Sequence, residues 1–167
     1  MNNRPIALKA ASDALLNVGV TEGGDNKGQW IEIYQAAVGI PPGSPWCAAF
    51  VRYRFEHAAN SLGTTLPSTF PDSGWTPDYA SWAKRNGFWI PVSEAKTGVV
   101  KPRIGDLALF WFAAKNRIAH IGIVVESSKE WGVVTIEGNT GPDHPDEVNR
   151  DGDGVYKKER SWSEFVS

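Results

Sequence analysis

The chain holds a single cysteine, Cys47, among 167 residues. An intrachain disulfide is therefore impossible, and so is a metal site built from several thiolates. No apolar run reaches the roughly 18 residues needed to span a bilayer, so insertion into a membrane is not expected. The formal net charge is only -2, too small to draw the protein to nucleic acid or to anionic lipid. The segment MNNRPIALKAASDALLNVGV carries Asp13 and Asn17 among its apolar positions and lacks the continuous apolar core of a secretory signal. The expectation is synthesis in the cytoplasm without a Sec-type route of export. Low-complexity stretches and internal repeats are also missing.

What remains is a balanced composition, 41% hydrophobic and 22% charged, which suits one globular domain over residues 1–167, working as a monomer. The first half reads as helices. Pro5 to Val18 is amphipathic, with Leu8, Ala11, Leu15 and Val18 on one face and Gly19 as the stop. A Gly-rich loop covers Thr21 to Gly28, and a short helix follows with Trp30, Ile33 and Ala37 on one face. After Pro41-Pro42-Gly43, Ser44 is a candidate N-cap with Pro45 at the first helical position. That helix carries Cys47, Phe50, Val51, Arg54, Phe55 and Ala58 and stops near Gly63. Thr76-Pro77 opens another, ending at Asn86-Gly87. Beyond Gly105 the segments DLALFWF, HIGIVVESS, WGVVTIEGN and GVYKKERSW are short, β-branched or aromatic, and separated by turns. Helices first and strands second predict an α+β fold with an antiparallel sheet.

Cys47 falls within the first turn of its helix, where the positive end of the macrodipole favours a thiolate. The effect is modest: about 1 kcal/mol moves a pKa by less than about one unit. A nucleophilic thiol also needs a base, and the chain has three histidines. His57 lies ten residues along the same helix and cannot reach back. His144 sits in an acidic, Pro-containing loop. His120 begins a strand, where a rigid scaffold can present a catalytic side chain. A hairpin closed by a two-residue or a four-residue loop around Lys129-Glu130 puts His120 directly opposite Glu137. A carboxylate there can orient the ring and stabilise the imidazolium. Asn139 points to the same side as an alternative orienter. Gly122 leaves room on that face for the helix bearing Cys47. Cys47 is expected to be partly exposed.

SPWCAAFV, GDLALFWF followed by AHIGIVV, and then TIEGN resemble the CHAP family of cysteine, histidine-dependent amidohydrolases and peptidases, which are papain-like in fold. The resemblance runs from the first helix to about Trp162. It implies N-terminal helices packed on a C-terminal antiparallel sheet. By position it implies that Cys47 attacks an amide carbonyl, that His120 relays the proton, and that Glu137 or Asn139 holds the imidazole. The implied partner is bacterial peptidoglycan, cut at N-acetylmuramoyl-L-alanine or within the stem peptide or cross-bridge. A thiol peptidase or amidase acting on another substrate, and a catalytically silent wall-binding domain, are the alternatives. A compact form without a wall-binding module is similar to an endolysin, or to a wall hydrolase exported by an unconventional route.

The chemistry requires no cofactor. Structural calcium is conceivable at Glu22, Asp25 and Asn26, or at the turn Asn149 to Gly154. The turn, however, has Arg160 where a calcium loop needs a bidentate Glu. Among eight tryptophans, Trp46, adjoining the nucleophile, and Trp75 are the candidates for lining a substrate groove. Lys96, Lys101, Arg103, Lys115 and Arg117, and the acidic residues between Asp143 and Asp153, read as solvated surface. An oxyanion hole is legible only as far as the Cys47 backbone N–H.

Overall fold

The computed structural model describes residues 4–142 and 151–165. Five helices come first: α1 (Arg4–Leu15), α2 (Gln29–Ala36), α3 (Cys47–Ser61), α4 (Thr76–Arg85) and α5 (Val92–Thr97). Four strands follow, β1 (Leu107–Phe112), β2 (Arg117–Ser128), β3 (Gly132–Thr140) and β4 (Gly154–Ser161). They form one antiparallel sheet in the order β1-β2-β3-β4. The expected α+β arrangement, helices packed on a C-terminal antiparallel sheet, is the observed one. No helix among the described residues is long and apolar enough to cross a membrane.

α3 is the central helix. Ala48, Ala49, Phe50 and Val51 are all fully buried, so its first turn is enclosed on every side. Its core continues into Ile121, Ile123 and Ile136 of the sheet. The opposite face of the sheet is covered by a second cluster comprising Phe110, Val124, Val133 and Trp162, with Ala95 from α5. Both faces of the sheet are thus buried, and β3 is buried along its whole length. That explains why VVTIEGN is not a clean alternation of apolar and polar residues.

Two helices bury a different stripe from the expected one. In α1 the buried apolar positions are Ile6, Ala10, Ala11 and Ala14, while Leu8 and Leu15 are 44% and 45% exposed. The alanines let the backbones of α1 and α3 approach closely, which a leucine stripe would prevent. In α2 the buried residues are Ile31, Tyr34 and Gln35, with Trp30 and Ile33 left outside. Tyr34 sets that rotation, since its ring meets those of Trp46, Phe50 and Tyr53 at 5.7, 5.3 and 5.2 Å.

Candidate active site

The helix carrying Cys47 starts two residues later than Ser44 as N-cap suggests. Trp46 is the N-cap, and its carbonyl accepts the first helical hydrogen bond, from the Phe50 N–H at 2.9 Å. Ser44 belongs to the preceding turn, where its carbonyl accepts from the Gln35 side-chain amide at 2.8 Å. Pro45 therefore stands outside the helix. Cys47 becomes the first helical residue, and its backbone N–H is one of those a helix start leaves without an intrahelical acceptor.

Asn139 explains how that start is fixed. Its Oδ1 accepts the Trp46 N–H at 2.9 Å, while its Nδ2 donates to Asn26 Oδ1 at 2.9 Å and to the Gly152 carbonyl at 3.0 Å. Strand alternation alone would turn Asn139 toward His120. Instead β3 carries an irregularity between Glu137 and Thr140, with Asn139 in the left-handed region at φ 58°. Asparagine enters that region more readily than most residues, and the twist sends its side chain to the helix. Asn139 is thus not an orienter of the imidazole. It ties the nucleophile's loop to the sheet.

The orienter is Glu137, by a route other than the expected one. The hairpin loop has three residues, since Ser128 pairs with Gly132. Such a loop alone would turn Glu137 to the wrong face. A bulge between Val124 and Glu126 shifts the register once more and restores the parity. Ile123 then faces Ile136, and continuing that register puts Glu137 across from Gly122. Glu137 reaches His120 diagonally, with Oε2 2.8 Å from Nε2. Gly122 is necessary for this path: a Cβ there would stand 2.7 Å from Glu137 Cγ. The room it leaves serves the carboxylate. The close approach of α3 occurs instead at Gly138, whose added Cβ would meet the Trp46 ring at 2.6 Å and Phe50 at 2.9 Å.

Both Glu137 oxygens are held by a residue that sequence reasoning did not place in the site. Arg160 donates from Nε to Oε1 at 2.8 Å and from Nη2 to Oε2 at 2.6 Å, and Thr135 Oγ1 donates to Oε1 at 2.6 Å. His120 and Glu137 are completely buried. Burial works against charge on His120, but the Glu137 carboxylate, its hydrogen bond to the ring and the neighbouring Cys47 outweigh it and push the ring up to about 9. Burial also works against the Glu137 carboxylate, yet Arg160 and the imidazolium hold it down at about 2. The result is a cation–anion–cation row of Arg160, Glu137 and His120, with every Glu137 oxygen satisfied.

Nε2 being engaged by Glu137, Nδ1 is the nitrogen left for sulfur. Nδ1 is buried without a hydrogen-bond partner, and Cys47 is the neighbour besides Glu137 that favours the charged ring. This is the loose pairing expected of a site without substrate. Cys47 is only 4% exposed, less than expected. It forms part of the floor of a groove of about 430 Å³ whose lining includes Ser44, Ser73, Trp75, Thr76, Arg117 and Ala119. A larger cavity, about 710 Å³ and mostly apolar, lies between α4, α5 and the sheet, and neither Cys47 nor His120 lines it. The groove, not that cavity, is the candidate site, because only the groove is lined by Cys47.

Trp75 stands where a groove residue should, 49% exposed. Trp46 does not. It is fully buried, its ring packs on Tyr34, and its indole N–H donates to Glu22 Oε2 at 3.3 Å. At a helix start, adjacent side chains diverge by about 100°, so a neighbour of the nucleophile can face the core. Glu22 and Asn26, weighed for calcium, are engaged with Trp46 and Asn139. Among the described residues no three His, Cys, Asp or Glu gather as metal ligands. His144, Asn149 and Arg150 lie outside the described residues.

A family model described as the CHAP domain matches residues 39–139, a span that holds Cys47, His120, Glu137 and Asn139. No curated protein and no solved structure matches the chain.

Proposed function

The chain belongs to the CHAP-domain family, a family of peptidoglycan-related amidases and peptidases, and on that premise we propose that it is a cysteine hydrolase of peptidoglycan amide bonds. Cys47 Sγ adds to the carbonyl carbon while its proton resides on His120 Nδ1. The oxyanion lies toward the helix start, where the Cys47 N–H donates. His120 passes the proton to the leaving amine, the C–N bond breaks, and a thioester remains on Cys47. Water, deprotonated by His120, then attacks the thioester and releases the acid and the thiol. Glu137 keeps the ring in one tautomer and stabilises the imidazolium, as the orienting carboxylate does in serine triads. The bond is N-acetylmuramoyl-L-alanine or one within the stem peptide or cross-bridge.

The observation that carries this reading is the 2.8 Å bond from His120 to a clamped carboxylate. It leaves only Nδ1 to act, on the side of the thiol. A silent wall-binding domain would have no use for such a buried ionic row. Incubation of purified sacculi with the protein, followed by mass spectrometry of soluble fragments, tests it. One new class of amine and carboxyl termini should appear, and none with Cys47→Ala. Sedimentation with sacculi but no fragments would leave only the binding reading.

A further inference from the structure

We infer that Arg117 binds a carboxylate of the substrate, close to the amide that Cys47 attacks; the inference rests on the proposed hydrolase reading. Arg117 is the first residue of β2, three before His120, and it lines the same groove as Cys47. The sequence places it on solvated surface, but its guanidinium carbon lies over the Trp75 ring, 3.9 Å from the centroid. Its Nη1 donates to the Ile118 carbonyl at 2.9 Å. Those two contacts hold the fork in place, and neither neutralises it. Among the described residues it has no carboxylate partner.

The other charged group in the groove is Asp72, which faces Arg52 Nε at 3.6 Å. Arg117 is therefore the cation of the groove left unanswered. A guanidinium stacked on an aromatic ring is weakly hydrated and already oriented, so it loses little on forming a paired contact with a planar anion. α4 supports the wall on which Trp75 stands: Thr76 Oγ1 donates to the Ile118 carbonyl at 2.8 Å, and Tyr79 Oη donates to the Ser73 carbonyl at 3.2 Å. The platform is thereby tied to β2 beside the guanidinium it carries. With a groove of about 430 Å³, an anion on Arg117 and the amide at Cys47 belong to the same few residues of substrate. A stem peptide with a γ-linked D-glutamyl residue offers such a group, its free α-carboxylate. The form carrying an α-carboxamide offers none.

The test compares two synthetic muramoyl peptides that differ only in this group, carboxylate against carboxamide. Their binding to Cys47→Ala protein is measured by calorimetry, so that turnover does not intervene. The carboxylate should bind about tenfold more tightly, and the preference should shrink as salt is raised. Arg117→Met, which keeps an unbranched stem over Trp75, should abolish the preference, and Arg117→Lys should keep part of it. Equal affinities, binding of neither peptide, or a preference that survives Arg117→Met would overturn the assignment. Turnover of sacculi by the unsubstituted protein is read separately. Cleavage without a carboxylate preference removes only the role of Arg117, whereas a preference without cleavage removes only the hydrolase reading.

Discussion

Replacing Gly122 by alanine asks whether Glu137 truly crosses to His120 over a gap in β2. The new methyl would sit 2.7 Å from Glu137 Cγ and 3.1 Å from Thr135 Cβ. Carbon atoms rest at about 3.5–4.0 Å, so the overlap with Cγ is on the order of 1 Å. Glu137 cannot simply swing aside, because Arg160 grips both of its oxygens. Either the carboxylate releases His120 or the two strands part. Overpacking of this kind costs roughly 1–3 kcal/mol, and losing a hydrogen bond between charged buried groups costs roughly 1.5–3 kcal/mol. Displacing a catalytic ring by about 1 Å lowers turnover by about 100-fold. The assay joins denaturant unfolding, turnover on a soluble muropeptide, and an NMR titration of His120. The ring should lose the elevation that now brings it to about 9. An alanine variant with unchanged turnover and an unchanged His120 titration would refute the diagonal contact.

Arg160→Gln should destabilise the fold by about 3–5 kcal/mol, because it strands a buried carboxylate; the double variant with Glu137→Gln should recover much of that in unfolding experiments while remaining slow. Asn139→Ala should cost about 1–3 kcal/mol by orphaning the Trp46 N–H, and its effect on turnover should exceed that of any exposed substitution on α1. Stability should depend on pH in a defined way. Glu137, lowered from 4.5 to about 2, stabilises fully above its unfolded value and loses that contribution as pH falls toward 2. His120, raised from 6.5 to about 9, stabilises fully below 6.5 and loses that contribution as pH rises toward 9. Thermal melts should therefore show a joint plateau between about pH 4.5 and 6.5 from these two groups with a fall on either side, and a fall confined to the acid side would fit Glu137 alone.

The cluster of Cys47, His120 and Glu137 was legible because each residue carries a strong local signal. Cys47 is the sole thiol, His120 is the one histidine in a strand among the described residues, although β2 begins three residues earlier than the sequence suggests, and Glu137 has the right parity. That parity held for a reason invisible in the residues. Two one-residue irregularities, the three-residue loop and the bulge at Val125, compensate each other; Gly132, at φ 148°, closes the loop, but no Gly or Pro marks the bulge. Asn139 misled because alternation says nothing of a single residue at φ 58°. Trp46 misled because adjacency in sequence is not adjacency around a helix. Arg160 did have a signal. In GVYKKERSW, Lys158 and Arg160 share the parity of buried Trp162, and both are buried themselves. Two cations on the inward face of a strand call for acceptors inside, and Glu137 is the acceptor for Arg160.

The central claim, that Cys47 is a nucleophile paired with His120 rather than a core thiol, is tested most directly by the rate of iodoacetamide modification of the folded protein at pH 6. Cys47, 4% exposed but opening on the groove, should be alkylated without unfolding and faster than a free model thiol, with activity lost in step. In a folded His120→Ala variant the rate should fall below that of the free thiol. Modification that occurs only after denaturation, or a rate indifferent to His120, would contradict the account.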